Sequence, residues 1–297
     1  MKSIILAGGT GTRLGNLTKA VNKQLLPVGN QPAISHSVDL ALTLCNDVLI
    51  VSDSSTISPI AKLEDTWGLG CYPRATKNVY YAVQRKPNGI PAAIALGECY
   101  ANRGPVMVLL GDNVFDYKNR KEISLGAASR HQQRGGAHIW VASHISKRQL
   151  DLGMTTKLNI SNYGALFTEI PTKLGEAYSL CETTPVKVIE KPTPEILHEC
   201  ESQSQSCQGA ITGIYYFDST VWDKLDLLHR IPKGFDASKG EFGEFQLAAL
   251  LNMYIDEQRL TYTHIQATGW HDIGESVEGY WQVTNKMLAD CRPWDAQ

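Results

Sequence analysis

The chain of 297 residues has no dominant charge: 28 Lys and Arg stand against 30 Asp and Glu, for a formal net charge of -2. No global field then draws it to nucleic acid or an anionic membrane, so neither is an expected partner, and a phosphate ligand must be held by a local site. Long apolar runs are also missing. The opening MKSIILAGG breaks into glycines after a few apolar residues, too short for a signal peptide, and nothing approaches the roughly 18–20 apolar residues of a membrane span. A cytoplasmic protein is expected. The seven cysteines, at 45, 71, 99, 181, 200, 207 and 291, are odd in number and include no C-x-x-C, so reduced, mostly buried thiols are expected rather than a disulfide framework. The eight histidines show no H-E-x-x-H or paired spacing, which argues against a structural zinc site.

What is present is an alternation. Short β-branched runs at 2–7, 47–52, 79–84 and 106–111 are separated by helix-compatible stretches at 31–44, 54–64 and 91–102. Continuous apolar runs of this length suit buried parallel strands, and the intervening stretches are long enough to be crossovers. The predicted fold is an α/β open, mostly parallel sheet with helices on both faces, and ligands in such sheets bind beyond the carboxyl ends of the strands. From about 137 the pattern becomes strand-rich (AHIWVASH, YGALFTEI, a hairpin through 178–190, AITGIYYFD), with helices near 219–229, 244–257 and 275–289. This reads as an elaboration of the same sheet within a single domain, 1–297. The polar segment HECESQSQSCQG, 198–209, is expected to be an exposed loop, and 171–185 and 231–243 are candidate mobile loops.

The first strand runs through Leu6 into Gly8, Gly9, Thr10, Gly11, Thr12 and Arg13. Glycines allow a tight turn that aims backbone N–H groups at an anion, and Arg13 adds a cationic fork suited to phosphate oxygens. A plain strand-to-helix turn would look similar. Two other phosphate loops are excluded: a dinucleotide fingerprint needs a third glycine where Leu14 stands, and a P-loop needs Gly-Lys-Ser/Thr after four spacers.

The stretch LAGGTGTRLGNLTKAVNKQLLPVGNQP, 6–32, resembles the signature of the sugar nucleotidyltransferase family, and KQLLP resembles its glucose-1-phosphate thymidylyltransferase branch. VQRKPNGIPAAIALGE, LLGDNVF, VIEKP, AITGIYYFD and GWHDIGE agree in order across nearly the whole chain. The resemblance implies transfer of a nucleotidyl group from dTTP to a hexose 1-phosphate, most simply glucose 1-phosphate. It implies a nucleotide-binding half, 1–135, and a sugar-binding half, 136–297.

It also implies roles, residue by residue. Leu6, Gly8, Gly9, Thr10 and Gly11 would cradle the nucleotide, Arg13 would hold the triphosphate, and Lys23 would stand near the α-phosphate. Gln84 and Gly89 would read the base, since an amide presents a donor and an acceptor together. Asp112, after an apolar strand, and Asp272, in WHDIG, would hold magnesium, for which two carboxylates plus phosphate oxygens and water form a reasonable site. A turn or cap role remains open for each. Gly164, Glu190, Lys191, and Thr212 with Gly213 would line the sugar-phosphate pocket. A homo-oligomer is expected on the same ground.

Departures from the family pattern are Gly15-Asn16 in the opening loop, Arg85-Lys86 and Ile90-Pro91 around the base-reading stretch, and longer segments at 146–162 and 171–187. They leave UTP, CTP or another phosphorylated acceptor open. A nucleotide-binding regulatory protein without turnover and a nicotinamide dehydrogenase are the rivals of other classes. Retention of Arg13, Lys23, Asp112, Glu190, Lys191 and Asp272 speaks against the first, and Arg13 within the loop and the missing glycine against the second.

Overall fold

A computed structural model describes residues 1–9, 11–64, 77–86, 88–132, 135–143, 160–169, 184–230, 235–236, 241–242 and 246–290. Four apolar runs of the first half become parallel strands: β1 (Lys2–Leu6), β2 (Asp47–Ser52), β3 (Asn78–Val83) and β4 (Val106–Leu110), side by side in the order β4-β1-β2-β3. Helices α1 (Ala33–Leu44), α2 (Ser54–Ala61), α3 (Ile90–Ala95) and α4 (Glu98–Ala101) cross between them. α2 starts where Asp53 accepts from the Ser55 and Thr56 N–H groups, an N-cap that satisfies two otherwise orphan donors. The stretch expected as one helix over 91–102 divides at Gly97, whose N–H turns back to the Ile94 carbonyl.

β4 runs directly into the short β5 (Asn113–Phe115) and then α5 (Tyr117–Gln132). The second half adds β6 (Ala137–Ser143), β7 (Gly164–Glu169), β8 (Pro185–Glu190), α6 (Pro194–Ser202), β9 (Gln205–Phe217), α7 (Val221–Arg230), α8 (Leu247–Asp256), β10 (Leu260–Ile265), β11 (Trp270–Asp272) and α9 (Val277–Asp290). Nine of the strands form one mixed sheet.

Strand β9 joins the halves. Its first residues pair with β7 and its last with β4, both antiparallel, while β6 takes the opposite edge. β4 ends at Leu110 and β7 begins at Gly164, so the two share one edge of β9 and leave Ile211–Gly213 without a partner there. This gap in the sheet is where the second half contributes to a cleft.

Alternate residues of each central strand feed different cores. Ile4, Leu6, Val106 and Val108 pack with α3, α7 and α8, whereas Ile5, Ala7, Met107 and Leu109 pack with α1 and α5. Each fully buried Ile or Leu contributes about 1.5–3 kcal/mol, so a slip by one residue would exchange both faces at once. A third cluster, Leu14, Leu26, Val28, Val114, Ile273, Tyr280 and Val283, pins the chain after the glycine loop and the segment after β11 to α9.

The expected loop at 198–209 is corrected. Residues up to Ser202 belong to α6, capped by Thr193 and buried at Cys200, and Gln205 already starts β9 against Glu169. Pairing to β7 satisfies the backbone whatever the side-chain polarity, so composition misleads here. Of the expected hairpin through 178–190, Pro185–Glu190 pairs with β7, and 170–183 lie outside the described residues. In the 231–243 stretch, Phe235–Asp236 pairs with Glu241–Phe242. Of the four cysteines among the described residues, Cys45 and Cys200 are buried, Cys207 is half-buried and Cys99 is exposed. Among the described residues no helix is long and apolar enough to cross a membrane.

Candidate active site

Because β1, β3 and β4 are parallel, their carboxyl ends lie along one edge, and the loops that follow them meet there. After β1, Gly11 adopts φ +66°, a left-handed value that glycine takes without strain, and its carbonyl accepts from the Thr18 hydroxyl at 2.8 Å. Gly8 and Gly9 serve through close approach. A Cβ on Gly8 would stand 3.1 Å from Gln84 Oε1, and one on Gly9 would stand 2.8 Å from Lys23 Cε. Gln84 and Lys23 therefore lie directly on the loop. Thr10 is outside the described residues. Gly89 (φ +89°) turns the chain into α3, whose first turn accommodates Pro91.

After β4, Asp112 emerges 7% exposed. Its Oδ1 accepts from Asn113 Nδ2 at 3.0 Å, and Asn113 Oδ1 accepts from Trp270 Nε1 at 2.5 Å. Its Oδ2 takes an ion pair with the Lys23 ammonium. The antiparallel pairing of β5 with β11 sets Asp272 opposite Asn113, and the Ile273 N–H donates to the Asp112 carbonyl at 3.1 Å. Two carboxylates 160 positions apart in sequence are thus brought to one place (112 and 272). Gly274 reports how tightly: a Cβ there would stand 3.1 Å from Asp272 Oδ1, 3.1 Å from Lys23 Nζ and 3.4 Å from Asp112 Oδ2.

The electrostatics follow from this crowding. Burial opposes the Lys23 charge, but Asp112 and then Asp272 more than offset it, and the ammonium is held above its ordinary range. Burial likewise disfavours ionised Asp112, yet Lys23 draws its carboxyl below the usual carboxylate range. Asp272 goes the other way: burial, then repulsion from Asp112, push it up to about 7.

Among the described residues, two cavities border both Lys23 and Asp112. One, of about 440 Å³, is lined by Leu6, Gly8, Gly9, Gln24, Gln84 and Gly89. The other, of about 230 Å³, opens at the gap in the sheet, where Gly164, Glu190, Lys191, Asn162, Tyr163 and Tyr215 surround it. Arg13, Lys23 and Asp112 belong to the walls of both. In the second cavity Gly164 faces Glu190, whose Oε2 would lie 3.4 Å from a Cβ on that glycine. Burial pushes the Glu190 carboxyl up, against Lys191. Lys191 takes φ +48°, an uncommon value for a side-chain-bearing residue, held by its N–H to the Tyr163 carbonyl at 2.9 Å.

Thr212 is corrected. Its side chain is fully buried and its hydroxyl donates to the Trp140 carbonyl at 2.8 Å, so it braces β9 against β6 instead of lining the cavity. Gly213 makes room for Asn113 and Leu110, whose atoms would lie 2.7–2.8 Å from a Cβ there. Of the two longer segments, only Ile160–Asn162 and 184–187 are described along with the strands, and Asn162 reaches the second cavity. Sequence reading missed Gln24, Tyr163 and Tyr215. Each sits inside or beside a quoted motif, next to Lys23, next to Gly164 and within AITGIYYFD, and adjacency to a motif residue was the one signal available.

No group of three or more His, Cys, Asp or Glu side chains able to hold a metal forms among the described residues. Asp112 and Asp272 alone could hold a hard cation only with oxygens from water or a bound phosphate, the arrangement magnesium takes with nucleotides. A model of the nucleotidyl transferase family matches residues 2–290. The glucose-1-phosphate thymidylyltransferase of Xanthomonas campestris pv. campestris is 26% identical over 92% of this chain and 76% of its own length. That of Mycolicibacterium smegmatis is 28% identical over 92% and 78%. Among solved structures, a Bacillus anthracis protein in complex with sucrose superposes with a TM-score of 0.68 at 25% identity, covering 97% of this chain and 95% of that one. UDP-glucose pyrophosphorylase complexed with UDP-glucose shares the fold, with a TM-score of 0.70 at 20% identity and coverage of 97% and 98%. The glycine loop after β1, the paired carboxylates and a family match over nearly its full length together establish that the chain belongs to the nucleotidyl transferase family.

Proposed function

We propose that the protein joins dTTP and a hexose 1-phosphate, most simply glucose 1-phosphate, to give a dTDP-sugar and pyrophosphate. The observation that carries this reading is the shared wall of Arg13, Lys23 and Asp112 between two cavities of unequal size. A site that joins two phosphorylated substrates needs cationic groups where they meet. In-line displacement brings a sugar-phosphate oxygen to the α-phosphorus as pyrophosphate leaves. That oxygen is already anionic near neutral pH, so no side-chain nucleophile is required and the work is alignment and charge neutralisation.

In this reading the larger cavity takes the nucleotide, with Gln84 at the base edge and the Gly8 to Gly11 backbone at the phosphates. Arg13 steadies the departing pyrophosphate, and Lys23 neutralises the α-phosphate. Glu190 accepts from sugar hydroxyls in the smaller cavity, and Lys191 meets the sugar phosphate. Asp112 and Asp272 would hold magnesium, which when bound supplies charge neutralisation across the phosphates. Cytoplasmic location and self-association accompany this reading.

The test is pyrophosphate release with magnesium, pairing dTTP, UTP, CTP, ATP and GTP with glucose 1-phosphate and a panel of other sugar phosphates. Release with dTTP and glucose 1-phosphate, lost in Asp112→Asn and Arg13→Ala, supports the whole reading. Release with a different pair moves the substrate to that pair. Nucleotide binding with no release from any pair refutes the enzyme.

A further inference from the structure

We infer that Lys23, while paired with Asp112, closes the carboxylate pair, so that a divalent cation enters between Asp112 and Asp272 only after phosphate groups have drawn the ammonium away. The inference rests on the proposed path of the nucleotide phosphates along the Gly8 to Gly11 loop. It adds that the chain imposes an order on its own loading.

Asp112 has two oxygens, and both are engaged. Oδ1 is held by Asn113, itself fixed by Trp270, while Oδ2 is held by the Lys23 ammonium. Oδ2 is the Asp112 oxygen that faces Asp272: it, Asp272 Oδ1 and Lys23 Nζ all lie within 3.4 Å of where a Cβ on Gly274 would stand, so a cation shared by the two carboxylates there competes with the ammonium. An ammonium and a divalent ion would repel strongly at such separations in a partly buried site.

Lys23 is also built to move without its backbone. The Asn22 side chain accepts from the Gln24 N–H and donates to Thr56 Oγ1, each at 3.0 Å, which anchors the turn that carries Lys23. The side chain runs beside Gly9, with Cε and Nζ at 2.8 and 3.0 Å from where a Cβ would be. Its ammonium therefore lies between the carboxylates and the loop, and a rotation about its terminal bonds exchanges one anionic partner for the other. Cation affinity and phosphate affinity are then coupled, and the coupling is reciprocal.

The experiment uses the full chain and Mn²⁺ alone, without nucleotide, following free Mn²⁺ by electron paramagnetic resonance. Lys23→Met is expected to bind Mn²⁺ at least about ten-fold more tightly than wild type, and adding Asp112→Asn to it is expected to abolish the gain. Equal or weaker binding by Lys23→Met overturns the inference, as does a gain that survives Asp112→Asn. Lys23→Gln serves if the methionine variant does not fold. On the unaltered protein, with lysine labelled at ¹³Cε, inorganic tripolyphosphate in EDTA is expected to shift the Lys23 resonance, and a resonance that stays put also overturns it. None of these readouts involves turnover, so a protein that shows them without releasing pyrophosphate keeps the lysine switch and loses the proposed activity, and the converse result does the reverse.

Discussion

Asp272→Asn is expected to stabilise the protein while abolishing its activity. Burial and the neighbouring Asp112 raise the Asp272 carboxyl from its ordinary 3.8 to about 7. That difference corresponds to about 4 kcal/mol against the ionised form, and relaxation around a buried charge brings the working expectation to ~2 kcal/mol. The sign follows from proton counting. The folded chain keeps this proton up to about pH 7, whereas the unfolded chain releases it near pH 4, so stability falls as pH rises across that window and levels off above it. Asparagine carries no such penalty, and its Oδ1 can keep the 2.8 Å hydrogen bond from the Gly274 N–H. Urea unfolding followed by tryptophan fluorescence at about pH 5 and about pH 8 should show the variant more stable than wild type by ~2 kcal/mol at the higher pH and by less at the lower. The same substitution removes one of two carboxylates proposed for magnesium, and pyrophosphate release should fall by roughly a hundred-fold or more. A variant less stable than wild type at pH 8, or a gain that does not widen with pH, would refute a shared buried site for the two carboxylates.

Gly9→Ala places a methyl 2.8 Å from Lys23 Cε and should lower pyrophosphate release by roughly ten-fold, with thermal stability little changed. An active Gly9→Ala would show that Lys23 need not lie along the loop. Thr212→Val removes the hydrogen bond to the Trp140 carbonyl and should cost about 1–2 kcal/mol in urea unfolding while leaving acceptor KM unaltered. A raised acceptor KM would return Thr212 to the sugar pocket. Gly164→Ala puts a Cβ at ordinary contact distance from Glu190 and Ile211, 3.4 and 3.6 Å, so folding should survive. Acceptor KM should rise and nucleotide KM should not, because Gly164 lines only the smaller of the two cavities.

Much of the fold was legible along the chain. The runs at 2–7, 47–52, 79–84 and 106–111 are locally apolar and β-branched, which is a property of the strand itself, and each became a strand within a residue of its expected ends. The glycine loop was legible for the same reason, since a tight turn is a local demand on backbone and side-chain size. The polar 198–209 stretch was not, because what makes Gln205–Phe217 a strand is its neighbours β7, β6 and β4. Thr212 was misplaced on similar grounds: which face of a bulged strand a side chain takes depends on the partner register, and that shifts between Ile211 and Tyr215.

By itself, then, the sequence determined the alternating α/β half, the position of the glycine loop and the cationic residues beside it. Tertiary structure alone decided that Asp112 and Asp272 meet, through three backbone pairs between β5 and β11, and that Lys23 lies between them and the loop. It also decided that the smaller cavity opens where β4 and β7 leave one edge of β9 without a partner. The physical reason is range: strand propensity and turn chemistry act over a few residues, whereas charge crowding and cavity shape arise from groups that only folding brings within a few ångströms of one another.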